Sequence, residues 1–154
     1  MQESEKLLED NQIVIINNMD PQPKEDEIRT LSVYGDIEES KCSDIVNVLM
    51  YLKDNALVPA LTDPEDPESE VVINSRPINM IVSTYGGSSA EMFSVYDTMR
   101  LVKETCDINT VGLGKVMSAG VLLLAAGTKG KRKIGANCRV MIHNVMGGSH
   151  GMLS

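Results

Sequence analysis

Apolar and polar positions follow two rhythms along this chain. Over residues 29–35 (Arg-Thr-Leu-Ser-Val-Tyr-Gly) they alternate one by one among β-favouring residues, which predicts a strand. Over residues 43–57 the period lengthens. Ile45, Val48, Leu49 and Leu52 recur at spacings of three and four, one face of an amphipathic helix with Ser43 as its natural N-cap. Residues 77–84 form a buried-strand candidate that runs into Tyr85-Gly86-Gly87-Ser88-Ser89, and a helix follows with Met92, Val95, Tyr96, Met99, Leu101 and Val102 on its apolar face. Residues 108–127 repeat the unit: Thr110, Val111 and Leu113 in a strand, then an apolar helix that Ser118 opens and that ends near Gly127. Residues 129–133 read as a basic turn, and residues 139–142 as a further strand ending at His143. Alternating strands and helices predict an α/β fold with a largely parallel sheet.

Two stretches break the rhythm. Residues 1–28 hold eight acids and two lysines, and Asp20-Pro21-Gln22-Pro23 stops any helix there. Apart from Leu7-Leu8, only Ile13-Val14-Ile15-Ile16, a short strand candidate, interrupts the polarity. This is an acidic N-terminal arm, expected to order only against a neighbouring subunit. Residues 58–76 contain five acids and two prolines within residues 63–70 and read as an exposed acidic, Pro-rich insertion, with a short strand at Val71-Val72-Ile73. The expected organisation is an arm over 1–28 and one domain over 29–154.

Composition narrows the function. The 154 residues suffice for one domain with a real core, and 42% hydrophobic with 23% charged residues is ordinary for a globular protein. A net charge of −8 argues against nucleic acid as a partner. The charge is uneven: from Arg100 onward eight basic residues face only Glu104 and Asp107. Cys42, Cys106 and Cys138 are widely spaced, with no C-x-x-C pair, which predicts reduced thiols and no metal site. Neither a signal peptide nor an apolar stretch of membrane-spanning length is visible, so the expected location is cytoplasmic, away from membranes.

The chemistry-bearing residues gather at element ends. Ser118, at a helix start, reads either as a cap or as a nucleophile whose oxyanion would meet the amides of the first turn. His143, at a strand end, reads either as a packed histidine or as the base that takes a serine proton. Functional groups collect at such strand ends in open α/β sheets. Gly86-Gly87 reads as an ordinary turn, or as a place where a backbone N–H faces substrate and pairs with the N–H of Ala119 in a two-donor oxyanion hole. Lys115, three residues before Ser118, raises a Ser–Lys dyad, against which stands a simply solvated lysine.

The order of these pieces resembles the ClpP family, the proteolytic subunit of the Clp protease. Tyr96-Asp97-Thr98-Met99, Gly127-Thr128-Lys129-Gly130-Lys131-Arg132 and Arg139-Val140-Met141-Ile142-His143 are similar to that family's motifs, and the resemblance covers roughly residues 29–150. It implies an α/β, ClpP/crotonase-like fold of repeated strand–helix units whose faces neighbouring subunits cover. It also implies a cofactor-free serine endopeptidase acting on polypeptides supplied by an AAA+ ATPase, as a homo-oligomeric ring or double ring. In that pattern Ser118 is the nucleophile, His143 the base, and Gly87 and Ala119 the oxyanion donors. Ser88, Ser89, Val145 and Met146 fall where substrate backbone is held. Where the family has Ser-Pro-Gly-Gly, this chain has Thr84-Tyr85-Gly86-Gly87, so Tyr85 is expected to crowd the oxyanion turn. Lys115, Val116 and Met117 are bulkier than the family's small residues. No Asp or Glu follows His143, which leads to the expectation of a fragment ending before the long helix and the triad acid. A second reading is a non-catalytic ClpP paralogue that co-assembles with an active one; a crotonase-type acyl-CoA enzyme comes third.

Overall fold

The computed structural model describes residues 28–144. Residues 1–27 of the expected arm over 1–28, with its strand candidate at 13–16, and Val145 and Met146 lie outside the described residues. The elements are β1 (Thr30–Tyr34), α1 (Glu39–Asp54), β2 (Leu57–Leu61), β3 (Val71–Ser75), β4 (Ile78–Thr84), α2 (Ser89–Val102), β5 (Ile108–Met117), α3 (Ala119–Ala125), β6 (Arg132–Ile134) and β7 (Arg139–Met141). One parallel sheet runs in the order β1-β4-β5-β6, and β7 also pairs with β5. The fold is therefore α/β, as the alternation of rhythms predicts.

Strand alternation gives the sheet two unlike faces. Val33, Ile78, Met80, Val82 and Ile108 point into the core, where Leu49, Val95, Met99 and Leu123 of the three helices meet them. The other face carries Thr30, Asn79 and Asn109, joined by hydrogen bonds from Asn109 Nδ2 to Asn79 Oδ1 (2.9 Å) and from Asn79 Nδ2 to Thr30 Oγ1 (3.5 Å). No described helix lies over it.

Three expectations need correction. The first helix begins at Glu39, a turn before Ser43, and its N-cap Glu38 makes no side-chain capping bond. Its buried stripe is Cys42, Ile45, Leu49 and Leu52. Cys42 behaves as a small apolar residue and starts the stripe early, while Val48 lies outside it at 42% exposure. The insertion is not merely a loop. β2 and β3 pair antiparallel from Leu57↔Ser75 to Leu61↔Val71, and the acidic run is the tip of this hairpin. There the carboxylates of Asp63 and Asp66 each accept a backbone N–H two residues on, from Glu65 and Glu68 at 3.0 Å, so aspartates that look merely solvated in sequence shape the turn. Finally, the expected basic turn over 129–133 runs into β6, whose Arg132–Ile134 pairs with Thr110–Gly112.

The hairpin's base is clamped by arginine. Arg29 is nearly buried, and its guanidinium donates to the carbonyls of Leu52, Asn55, Arg76 and Pro77. Arg76 adds a 2.7 Å bond to Asn55 O. These cations meet the orphan carbonyls at the C-terminus of α1, where the helix dipole favours positive charge.

Candidate functional site

The site is built where β5 bends. Val82 of β4 faces Gly112, but Thr84, two residues on, faces Val116, four residues on. The surplus residues on β5 form a bulge, with Gly114 at φ 65°, and a bulge turns a strand. Before it β5 pairs with β6; after it, Lys115, Val116 and Met117 pair with Arg139, Val140 and Met141 of β7. The bent end of β5 is thereby aimed alongside β7.

Ser118 follows directly, with φ 54° and ψ −125°, the one non-glycine residue at positive φ among those described. Its N–H donates to Met141 O at 2.9 Å, and its carbonyl accepts from Val121 N–H at 3.0 Å. The hydroxyl makes no capping bond, so the helix-cap reading of Ser118 does not hold: a capping side chain needs an extended backbone that Ser118 lacks.

The Gly-Gly turn is pressed onto this serine. A Cβ on Gly86 would lie 2.6 Å from Ser118 Cβ and 3.1 Å from its Oγ. Gly86 N–H donates to Thr84 Oγ1 (2.9 Å), and Gly86 O accepts from Ile37 N–H (2.9 Å). A Cβ on Gly87 would strike Ile37 O at 2.3 Å. With the turn so held, Gly87 N–H has no hydrogen-bond partner among the described residues. Ala119 N–H, first in α3, has no intrahelical acceptor. Gly120 lets α3 approach closely, since a Cβ there would sit 2.3 Å from Thr84 Cγ2.

His143 stands two residues beyond β7, at the same end of the sheet as Ser118. It is exposed, and its Nδ1 lies 2.6 Å from Asn144 O. Neighbouring strands thus carry Ser118 and His143 to one edge without a hydrogen bond between their side chains. Ser88 caps α2, its Oγ accepting Glu91 N–H at 3.4 Å, and its own N–H goes to Ile37 O; Ser89 is the exposed first residue of that helix.

Tyr85 is 64% exposed, and Lys115 Nζ lies 4.8 Å from its ring centroid. Tyr34 flanks the same ammonium at 5.8 Å. Lys115 is therefore neither a dyad partner of Ser118 nor simply solvated: it is held by cation–π contacts. Val116 is fully buried in the core, which absorbs its bulk. Burial pushes the thiols of Cys42 and Cys106 up, away from the reactive thiolate. Among the described residues no helix is long and apolar enough to cross a membrane.

Two contributors to the turn escape the sequence reading, the Thr84 hydroxyl and the Ile37 backbone. A threonine ending a strand and a residue fifty positions upstream carry no local mark of such a role.

A family model described as Clp protease matches residues 69–154. The crystal structure of the ClpP protease catalytic domain from Plasmodium falciparum matches with a TM-score of 0.61 and 27% sequence identity, over 76% of this chain. The chain spans 55% of the length of that solved chain. The family match takes in both Gly-Gly and Ser118 turns and extends through His143, so this chain belongs to the Clp protease family.

Proposed function

We propose that this chain is the serine endopeptidase component of an ATP-dependent protease, with Ser118 as nucleophile and His143 as general base. The observation that carries the reading is the seat of Ser118: a serine forced to positive φ, its hydroxyl uncommitted to capping, packed against Gly86. Strain of this kind in a non-glycine residue, about 1–3 kcal/mol, persists where surrounding structure over-determines it, and such positions cluster at active sites. His143 takes the Ser118 proton as Oγ attacks the substrate carbonyl, then returns it to the leaving amine. The N–H groups of Gly87 and Ala119 receive the oxyanion. Water activated by His143 then hydrolyses the acyl-enzyme. Substrate backbone lies along Ser88, Ser89, Val145 and Met146, with Ser89 better able to contribute than Ser88, whose hydroxyl and N–H are already engaged.

The rest of the reading follows the family. The chain works as a ring or double ring of copies, fed unfolded polypeptide by an AAA+ partner, and needs no cofactor. Three unpaired thiols support a reducing compartment, in keeping with a cytoplasmic location.

A fluorophosphonate probe tests the chemistry. Full-length protein should label at Ser118, and His143→Ala should slow labelling on the order of 100-fold, the scale of a lost general base. No labelling of the intact protein would sink the reading. One observation favours the non-catalytic alternative: the His143 ring meets Asn144 O rather than Ser118 Oγ. In that case the unlabelled chain should appear with an active ClpP in mixed oligomers by native mass spectrometry.

A further inference from the structure

The hairpin and the uncovered face of the sheet carry complementary features that neither satisfies within one chain. The strands of the hairpin contact each other and no other helix or strand to a comparable degree. Leu57, Pro59, Leu61, Val71 and Ile73 share one face by register. Leu57, Val71 and Ile73 are 54%, 52% and 64% exposed. A two-stranded hairpin with a bare apolar face is marginal by itself. Its tip presents Asp63, Glu65, Asp66, Glu68 and Glu70 on a turn fixed by the Asp63 and Asp66 carboxylates and by Thr62 N–H to Glu70 O at 2.8 Å.

On the uncovered face of the sheet lies a groove of about 550 Å³ lined by Thr30, Asn79, Asn109, Gly130, Lys131 and Lys133 among others. Its floor is the ladder of side-chain amides described above. Lys131 pairs with Asp107, whose carboxyl it holds below the ordinary range. Lys133, on the same face as Val111 by register, has no ion-pair partner among the described residues. The groove thus carries cationic and polar side chains. No ion pair joins the hairpin tip to this groove within the chain.

We propose that the acidic hairpin tip of one copy docks into the Lys131/Lys133 groove of a second copy. Charge complementarity selects the occupant: five carboxylates on an ordered turn meet Lys133, which has no ion-pair partner among the described residues, and Lys131, which shares its charge with Asp107, over amides able to donate and accept. Such a contact joins two different surfaces of identical chains, so it propagates head to tail, into a ring where the rotation closes. It concerns assembly and stands whether or not Ser118 acts as a nucleophile.

Carbodiimide coupling, which joins a carboxylate to an amine without a spacer, tests the contact. Nitrogen-15-labelled and unlabelled full-length protein are mixed, coupled and digested. The expected products link residues 63–70 to Lys131 or Lys133 with mixed isotopes. Lys133→Glu should lower their yield by about five-fold or more, and Glu65→Lys/Glu68→Lys in the other copy should restore coupling, as for a paired charge contact. All three positions are exposed, and circular dichroism checks that each variant folds. Same-isotope products alone would place the tip on its own groove. Coupling only to an added acidic peptide would make the groove a site for another partner. Either result, or the absence of any link between tip and groove, overturns the proposal.

Discussion

At the scale of single residues, Ser118 and Gly86 hold opposite kinds of backbone requirement. Ser118 occupies a conformation natural to glycine, and its hydrogen bond to Met141 O and the packing of Gly86 keep it there. Replacing it by glycine should relieve that strain. Ser118→Gly is expected to raise unfolding free energy by about 1 kcal/mol while removing the hydroxyl, a gain of stability at the cost of the site. Gly86→Ala does the reverse. Its methyl would fall 2.6 Å from Ser118 Cβ at a φ of 108°, so destabilisation of about 1–3 kcal/mol and displacement of Ser118 are expected. Urea titration reads both changes; a Gly86→Ala protein as stable as the parent would show that the turn does not hold the serine. Much of this was legible, because the chain has only 2 histidines and because Ser118, His143 and Gly86-Gly87 sit at element ends. What stayed hidden was φ: a cap and a nucleophile seat use the same letter, and only the bulge in β5 and the bond to β7 decide between them.

Among the elements, the rhythm of apolar residues located every core strand and all three helices, with errors at their ends. It failed where an element is not defined by its own burial. β2 escaped because Pro59 lies within it and prolines demote a strand in any local reading; here Pro59 faces Ile73 in a hairpin with free edges, where a missing N–H is tolerated. β6 is three residues long with its side chains exposed, so no buried stripe marks it. Arg29 is the clearest case. It looks like the polar start of β1, yet its guanidinium fastens the C-terminus of α1 to the approach to β4 through four carbonyls. Arg29→Met keeps the aliphatic stem and strands these acceptors, for an expected loss of about 2–4 kcal/mol in urea unfolding. Arg29→Lys should recover only part of it, since one ammonium cannot reproduce the planar fork. Full recovery by lysine would mean that charge alone, rather than the geometry of the clamp, does the holding.

Across the whole molecule, the three described helices lie on one side of the sheet, the other side carries polar side chains, and Tyr34, Ile134, Val140 and Met141 are exposed on its strands. The alternation of strands and helices made the layered architecture readable in sequence, and the resemblance to a ring-forming family supplied the idea of faces covered by neighbours. Which face would stay uncovered was not readable, since Asn79 and Asn109 look like ordinary interruptions in apolar strands until register aligns them. A fold with that much exposed apolar surface on its strands and hairpin should draw part of its stability from association, because anything that binds only the folded chain adds to its unfolding free energy by mass action. The urea midpoint is therefore expected to rise between about 1 and 100 µM protein, whereas a self-sufficient monomer would keep one midpoint throughout. Sedimentation at the same concentrations separates the causes: a rising midpoint with growing mass assigns the gain to assembly, and a constant midpoint with constant mass would show that the open face is stable in water as it stands.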